Sequence, residues 1–383
     1  MQFTFQTVSR IVYGHGTVSS LGGEAKRLGC VRAVIVTDKG MTENNLQDPL
    51  LASLRQAGIE ADVFDGVTVE PTPASIEESA RFIVNAKADI IIGFGGGSAL
   101  DSAKAAALLA RHEGPLDRYF GLHLVPSACL PMILVPTTAG TGSEVTSISV
   151  LEDKATNSKK GIVSDYLYAK TVVLDPDLSL TLPPYFTAIT GLDALVHAIE
   201  SFVNTSATPF TDALNLQAIR LIADNIRMAY ANGKNRAARA AMLYASASSG
   251  MGFSNTQNGV IHALGMAVPA SYHLPHGLLM AAIAPMGMAF NAMASQEKYA
   301  AVAELLGSAP RRASTLEKAK AASQGFAALM RDLNITPGLA AHGVKKDDIP
   351  GIAQRAAATK RLMDGNPRQA TAKELEALLH EHF

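Results

Sequence analysis

At 383 residues the chain exceeds what one hydrophobic core usually organises, so two domains are expected. Its composition, 48% apolar and 17% charged with no tryptophan, is that of an ordinary soluble globular protein. A net charge of −1 leaves no basic footprint for nucleic acid or an anionic membrane, and pairs such as Lys159-Lys160 and Arg311-Arg312 are too short to supply one.

Only two cysteines occur, Cys30 and Cys129, and their spacing fits neither a disulfide framework nor a zinc knuckle. The opening segment MQFTFQTVSR lacks the basic and apolar regions of a secretory signal. The longest nearly apolar stretch, residues 277–290, is broken by Pro285 and Gly287 and is too short to cross a bilayer. These features lead us to expect a cytoplasmic protein.

The first half alternates β-type and helix-type segments. RAVIVTD (32–38) is a β-branched run, PASIEESARFIVNAK (73–87) has helical spacing, and ADIIIGFGGGS (88–98) is a buried-strand run that ends in glycines. ALDSAKAAALLAR (99–111) reads as a helix, and PMILVPTT (131–138) and TVVLDP (171–176) read as strands. Such alternation predicts an α/β domain with a mainly parallel sheet.

Asp38, at the end of the first run, suits an acceptor for an adenosine ribose diol and would repel a 2′-phosphate, which favours NAD over NADP. A strand-end Asp is also a common turn or cap residue. Gly93, Gly95, Gly96, Gly97 and Ser98 lie between a predicted strand and a predicted helix. Residues without Cβ allow close approach of a phosphate, and the helix N-terminus supplies N–H groups and partial positive charge. The spacing is not GxGxxG, so the standard dinucleotide fold is not supported by this turn. A second glycine-framed loop, PTTAGTGSEVT (136–146), offers the hydroxyls of Thr137, Thr138, Thr141 and Ser143 to a ribose or a nicotinamide amide, or is simply polar.

TLPPYFT (181–187) marks a change of texture. Beyond it β-branched runs vanish, and helical periodicity covers 185–203, 209–231, 235–253, 256–268, 277–291, 296–306, 313–333, 347–362 and 371–382. The expected organisation is an α/β nucleotide-binding domain over 1–183 and an all-helical domain over 184–383, with a ligand site in a cleft between them.

GLDALVHAIESF (191–202) places Asp193 and His197 about one helical turn apart on one face. Of the ten histidines, His197, His262, His273 and His276 fall within residues 197–276, and the others are scattered. Asp193 also fits a capping box opened by Thr190, and any one histidine fits a core imidazole bonded to a carbonyl. Capping explains neither His197 nor the histidines that follow. One aspartate with three histidines suits a divalent transition metal such as Fe(II) or Zn(II), with a position left open for catalysis. Glu200, about one turn past His197, either orients a ligand imidazole or is a solvated helix charge.

At this point the sequence resembles the iron-containing (group III) alcohol dehydrogenases, through YGHGTVSSLG, GFGGGSALDSAKA, PTTAGTGSEVT, DPDLSLTLPP, GLDALVHAIE and YHLPHG in order along nearly the whole chain. The resemblance implies a two-domain, dehydroquinate synthase-like fold with NAD(P) and a divalent metal in the interdomain cleft, and Asp38 makes NAD the expected form. It implies Asp193, His197, His262 and His276 as ligands, and Asp38, Gly96, Gly97, Ser98, Thr137, Thr138, Thr141, Ser143 and Lys160 at the cofactor. Taken alone, Lys160 reads as a surface charge. Many members carry a proton-relaying histidine four residues after the third ligand. Here that position is Met266, which cannot carry a proton, so His273 or a water is the expected catalytic substitute, unless the pocket is simply more apolar.

An alcohol is a poor hydride donor and its alkoxide a good one, and a divalent cation can lower the pKa of water from about 15.7 to about 7. The expected activity is therefore a metal-dependent NAD oxidoreductase on a small alcohol or its aldehyde, working as a homodimer or higher homo-oligomer in which MQFTFQTV is a candidate pairing segment. Two alternatives are a lyase of the dehydroquinate synthase type and a non-catalytic nucleotide- or metal-binding protein. No Lys or Arg occurs in 193–202 or 258–278, which disfavours a phosphorylated substrate.

Overall fold

The apolar, β-branched runs of the first half become the strands of one parallel sheet. The structure, a computed structural model, describes residues 2–153 and 158–383. Met1, which opens the MQFTFQTV segment, lies outside them. In chain order the first unit, Gln6–Leu182, contains β1 (Ile11–Tyr13), α1 (Leu21–Arg27), β2 (Arg32–Val36), α2 (Lys39–Glu43), α3 (Asp48–Gln56), β3 (Glu60–Phe64), α4 (Pro73–Asn85), β4 (Ile90–Gly95) and α5 (Gly97–Leu109). It continues with β5 (Gly121–Leu122), β6 (Met132–Pro136), β7 (Ile148–Asp153), β8 (Ser158–Val163) and β9 (Thr171–Leu174).

Six strands pair in the order β1-β9-β6-β4-β2-β3, every pair parallel. β4, β6 and β9 are buried along their whole length, as strands covered on both faces must be. Ile35, Ile92, Phe94, Ile133, Val135 and Val173 meet Leu21, Leu50 and Leu54 in the core. Within MQFTFQTV no strand forms among the described residues; the first strand is Ile11–Tyr13, at the sheet edge beside β9. β7 and β8 pair antiparallel, and β5 adds to β8 in a separate small sheet.

The second unit comprises Pro183–Phe383 with the first residues of the chain up to Phe5. It is helical: α6 (Pro184–Val203), α7 (Pro209–Ala231), α8 (Arg236–Thr256), α9 (Val260–Met266), α10 (His276–Asn291), α11 (Gln296–Leu305), α12 (Thr315–Asp332), α13 (Ile349–Ala358), α14 (Lys360–Met363) and α15 (Ala372–Glu381). Pro184 sits at the first helical position of α6, where a missing N–H costs nothing. Thr208, Ser314 and Thr371 close capping boxes on α7, α12 and α15. α6 packs on α7, α8 and α10, so nearly all of it is buried. It is long and apolar enough to span a bilayer, which residues 277–290 are not, but it is the core helix of this unit.

Candidate metal centre and cofactor loops

The helix α6 begins at Pro184, so Thr190 and Asp193 lie in its interior. The Thr190 hydroxyl donates back to Phe186 O at 2.7 Å and caps nothing, which removes the capping account of Asp193. Asp193 and His197 then share one face, as their spacing requires. α9 brings His262 and the first turn of α10 brings His276. Gly277 lets α10 reach α6: a Cβ there would lie 2.4 Å from Ile189 O and 3.3 Å from Asp193 Cβ.

One potential ligand atom from each of Asp193, His197, His262 and His276 falls within 4.8 Å of the others. His276 Nε2 is 3.7 Å from Asp193 Oδ1. The His197 and His262 ring centroids are 4.6 Å apart, and those of His262 and His276 are 5.6 Å apart. Ligand atoms 2.0–2.2 Å from one ion lie at most about 4.4 Å from one another, so small side-chain adjustments bring this set around a single cation. Asp193, His197 and His262 are 2%, 4% and 3% exposed, whereas the His276 side chain is 30% exposed, so the group opens on the His276 side. The Phe253 ring stacks on His197 with centroids 4.3 Å apart and planes 18° apart, which fixes that imidazole and shields it.

Glu200 is not a solvated helix charge. It is buried, and its Oε2 lies 2.5 Å from His262 Nδ1. Its oxygens also accept the Ile261 amide at 2.6 Å and the His262 amide at 3.3 Å, and Asn366 Oδ1 accepts the Val260 amide at 3.1 Å. The leading N–H groups of α9, which has no side-chain N-cap of its own, are thus met by residues from elsewhere. A carboxylate on Nδ1 fixes Nδ1 as the protonated nitrogen and leaves Nε2 as a lone-pair donor. His262 Nε2 is buried and has no hydrogen-bond partner among the described residues. A buried nitrogen lone pair aimed into an N₃O group of donors fits a divalent transition metal.

The nucleotide-type loops lie in the first unit. Gly95 ends β4 at φ +138°, and a Cβ there would strike Ala99 at 2.9 Å. Gly96 occupies the N-cap position of α5 without a side-chain cap, so the helix N-terminus is not satisfied in that way. Ser98 Oγ donates to Val69 O at 2.6 Å. Asp38 is the N-cap of α2 and accepts the Met41 amide at 3.3 Å, yet it also adjoins this turn, since a Cβ on Gly95 would sit 3.5 Å from its Oδ2. Thr137 follows β6 and donates its amide to Gly95 O at 2.9 Å, and the Thr138 side chain lies beside Gly96. Thr141 covers Gly97 so closely that a Cβ there would lie 2.6 Å from its Cγ2. Ser143 is engaged elsewhere: its Oγ accepts from Lys104 at 2.9 Å and donates to Asp101 at 2.5 Å. Lys160, on β8, holds its ammonium 5.8 Å from the Phe120 ring centroid. Sequence reasoning missed Lys104 and Glu144, both fully buried beside this loop.

His273 is exposed, in a left-handed backbone conformation at φ 50°, and lies outside the four-residue group. Met266 is the last residue of α9, one turn beyond His262.

Residues 8–176 match the family described as iron-containing alcohol dehydrogenase, and residues 187–383 match the C-terminal part of the Fe-containing alcohol dehydrogenase family. The chain is 50% identical to the sulfoacetaldehyde reductase of Bilophila wadsworthia (strain 3_1_6), with 100% of both proteins covered. Among solved structures, a 1,3-propanediol oxidoreductase matches with a TM-score of 0.96 at 37% identity, covering 100% of both chains. A sulfoacetaldehyde reductase from Bifidobacterium kashiwanohense, solved in complex with NAD+, matches with a TM-score of 0.87 at 25% identity, covering 100% of this chain and 99% of that one.

Proposed function

The chain belongs to the iron-containing alcohol dehydrogenase family and is an oxidoreductase of alcohols and aldehydes; from that premise we propose how its residues divide the reaction. Asp193, His197, His262 and His276 hold the metal, Fe(II) by family and Zn(II) by donor chemistry. The turn at Gly96, Gly97 and Ser98 seats the pyrophosphate of NAD, Asp38 takes the adenosine ribose, and Thr137, Thr138, Thr141 and Lys160 line the rest. The observation that carries this reading is the four-residue donor group, three of whose members are buried, with Glu200 turning His262 toward the others.

Bound there, a divalent cation supplies polarisation of the alcohol or carbonyl oxygen, and NAD supplies the hydride acceptor or donor. The chain's own residues do the rest. Glu200 holds the His262 proton on Nδ1, so Nε2 stays a donor through the cycle. Phe253 keeps water from one face of His197. Substrate enters beside His276, the one half-buried member of an otherwise buried group. Met266 carries no proton, so the alcohol proton leaves through His273 or water. The lyase alternative is disfavoured by relatives that are reductases and dehydrogenases. A homo-oligomer belongs to the same proposal, supported by the edge strand β1, whose Ile11 and Tyr13 are exposed.

A short sulfonated aldehyde such as sulfoacetaldehyde is the substrate favoured by the full-length 50% identity. Its anion needs a cation outside 193–202 and 258–278. Arg361 on α14 donates to the Gln257 side chain at the end of α8, one turn past Phe253. Burial lowers its pKa, and among the described residues no carboxylate acts against that shift. The test is NADH turnover by metal-loaded enzyme over sulfoacetaldehyde, propanal and their alcohols. Arg361→Ala is expected to raise KM for the sulfonated pair by about tenfold or more while sparing propanal. Equal effects on both would remove Arg361 as the anion site. Metal-loaded protein that binds NAD but turns over no member of the panel would overturn the dehydrogenase assignment.

A further inference from the structure

The helix α5 carries two charged residues that the reading above leaves unused. Lys104 is fully buried, and its ammonium reaches three acceptors: Ser143 Oγ at 2.9 Å, Thr146 Oγ1 at 3.1 Å and Ile148 O at 2.7 Å. Asp101, one turn earlier, accepts Ser143 Oγ at 2.5 Å and the Val150 amide at 3.0 Å, and its backbone carbonyl accepts Ser149 Oγ at 2.9 Å. The helix therefore grips the chain from Ser143 to Val150, directly after the threonine loop. The other end of that loop is tied as well, because Thr141 packs on Gly97 and the Thr137 amide donates to Gly95 O at 2.9 Å. A lysine one or two turns behind a glycine-rich turn invites reading as a phosphate ligand. Its ammonium, fully buried with three protein acceptors, has no donor left for one.

We infer that Lys104 and Asp101 are positioning residues for the dinucleotide, which lock the Thr137–Ser143 loop onto the helix whose first turn receives the pyrophosphate, so that the two cofactor segments form one preformed cradle. This rests on the proposal that these loops bind NAD. Its physical basis is preorganisation: a loop already fixed in the bound conformation loses no further entropy when the ligand arrives. The charges facing the anchor agree with that role. Asp101 lies 3.8 Å from Lys104, Glu144 adjoins both from the loop itself, and Lys159 faces Asp101 from β8. Desolvation brings Lys104 down to about 8 and pushes Glu144 up to about 7, so near neutral pH the buried lysine is charged and Asp101 is its nearest partner.

The test uses full-length, metal-loaded protein and measures NAD affinity by calorimetric titration. Lys104→Met is expected to weaken NAD binding and raise KM for NAD by about tenfold or more, while kcat at saturating NAD, KM for the alcohol and metal content change by less than about twofold. Thr146→Val, which removes one acceptor and keeps the lysine, is expected to shift NAD affinity in the same direction by a smaller factor. If Lys104→Met does not fold, Thr146→Val decides, and wild-type NAD affinity in that variant overturns the inference. A folded Lys104→Met with wild-type NAD affinity overturns it while leaving the NAD assignment standing. Parallel losses of metal and alcohol affinity in either variant mark a general packing role and also overturn it. Wild-type protein that holds metal and binds no NAD removes the nucleotide assignment first, and this anchor with it.

Discussion

A carboxylate taken fully out of water must be met by donors, and Glu200 meets three: the Ile261 amide, the His262 amide and His262 Nδ1. The amides belong to the first turn of α9, where the helix dipole favours negative charge. One side chain therefore serves as the missing cap of a short helix and as the orienter of a ligand imidazole on that helix. Glu200→Gln keeps the shape and an acceptor for the backbone, but it replaces the charge-assisted contact to Nδ1 with a neutral one. The expected result is a folded protein whose metal affinity, measured by competition with a chelator, falls by about 10–100-fold. Affinity equal to wild type would reduce Glu200 to a cap. The residue was ambiguous in the sequence because HAIE on an apolar helix says nothing about whether Glu200 faces water. The deciding partner, His262, lies 62 positions away.

At the scale of elements, the centre depends on how closely α10 approaches α6. Gly277 sits where the two helices meet, and a methyl group there would lie 2.4 Å from the Ile189 carbonyl oxygen, a backbone atom that cannot swing aside. Gly277→Ala is expected to cost about 1–3 kcal/mol of stability and to move His276 away from Asp193. Metal binding should weaken more than the thermal midpoint alone would suggest, which chelator competition read beside a melting curve will show. Full metal affinity in a normally folded variant would mean that α10 relaxes without disturbing the site. This dependence on tertiary packing sets what was legible beforehand. β2, β4, β6 and β9 could be read because strands covered on both faces are continuous apolar runs. β1 and β5 are too short for periodicity, and β8, with the polar SKKGIV, carries no apolar run, so these were not. Asp193 and His197 were legible because one helix sets their spacing. The TGLD pattern offered a capping box as an alternative for Asp193, and the fold removes it because α6 starts well before it, at Pro184. Lys104 gave no signal, since its acceptors lie 39 to 44 positions away.

For the molecule as a whole, net stability is typically only about 5–15 kcal/mol, so one misplaced buried charge is a sizeable fraction of it. Glu144 is such a charge: it is fully buried, its Oε1 has no hydrogen-bond partner among the described residues, and burial pushes its pKa from 4.5 up to about 7. Between those two values the folded protein keeps a proton that the unfolded chain has released. Stability contributed by this group is therefore complete below pH 4.5, falls as pH rises, and is lost above about 7. Lys104 acts in the opposite direction on the alkaline side: its pKa drops from 10.5 to about 8, so the unfolded chain binds the extra proton and stability recovers as pH rises between those values. Glu144→Gln keeps the size of the side chain and removes the acidic slope. Relative to wild type, the variant should gain stability from pH 4.5 to 7, by up to about 3 kcal/mol, while the alkaline limb persists through Lys104 but begins at lower pH, because Glu144 no longer favours its ammonium. Thermal midpoints of both proteins taken at pH 5, 7 and 9 measure this directly. Curves that run parallel across the acidic window would show that Glu144 is already ionised in the fold, held by Lys104 closely enough to repay its burial.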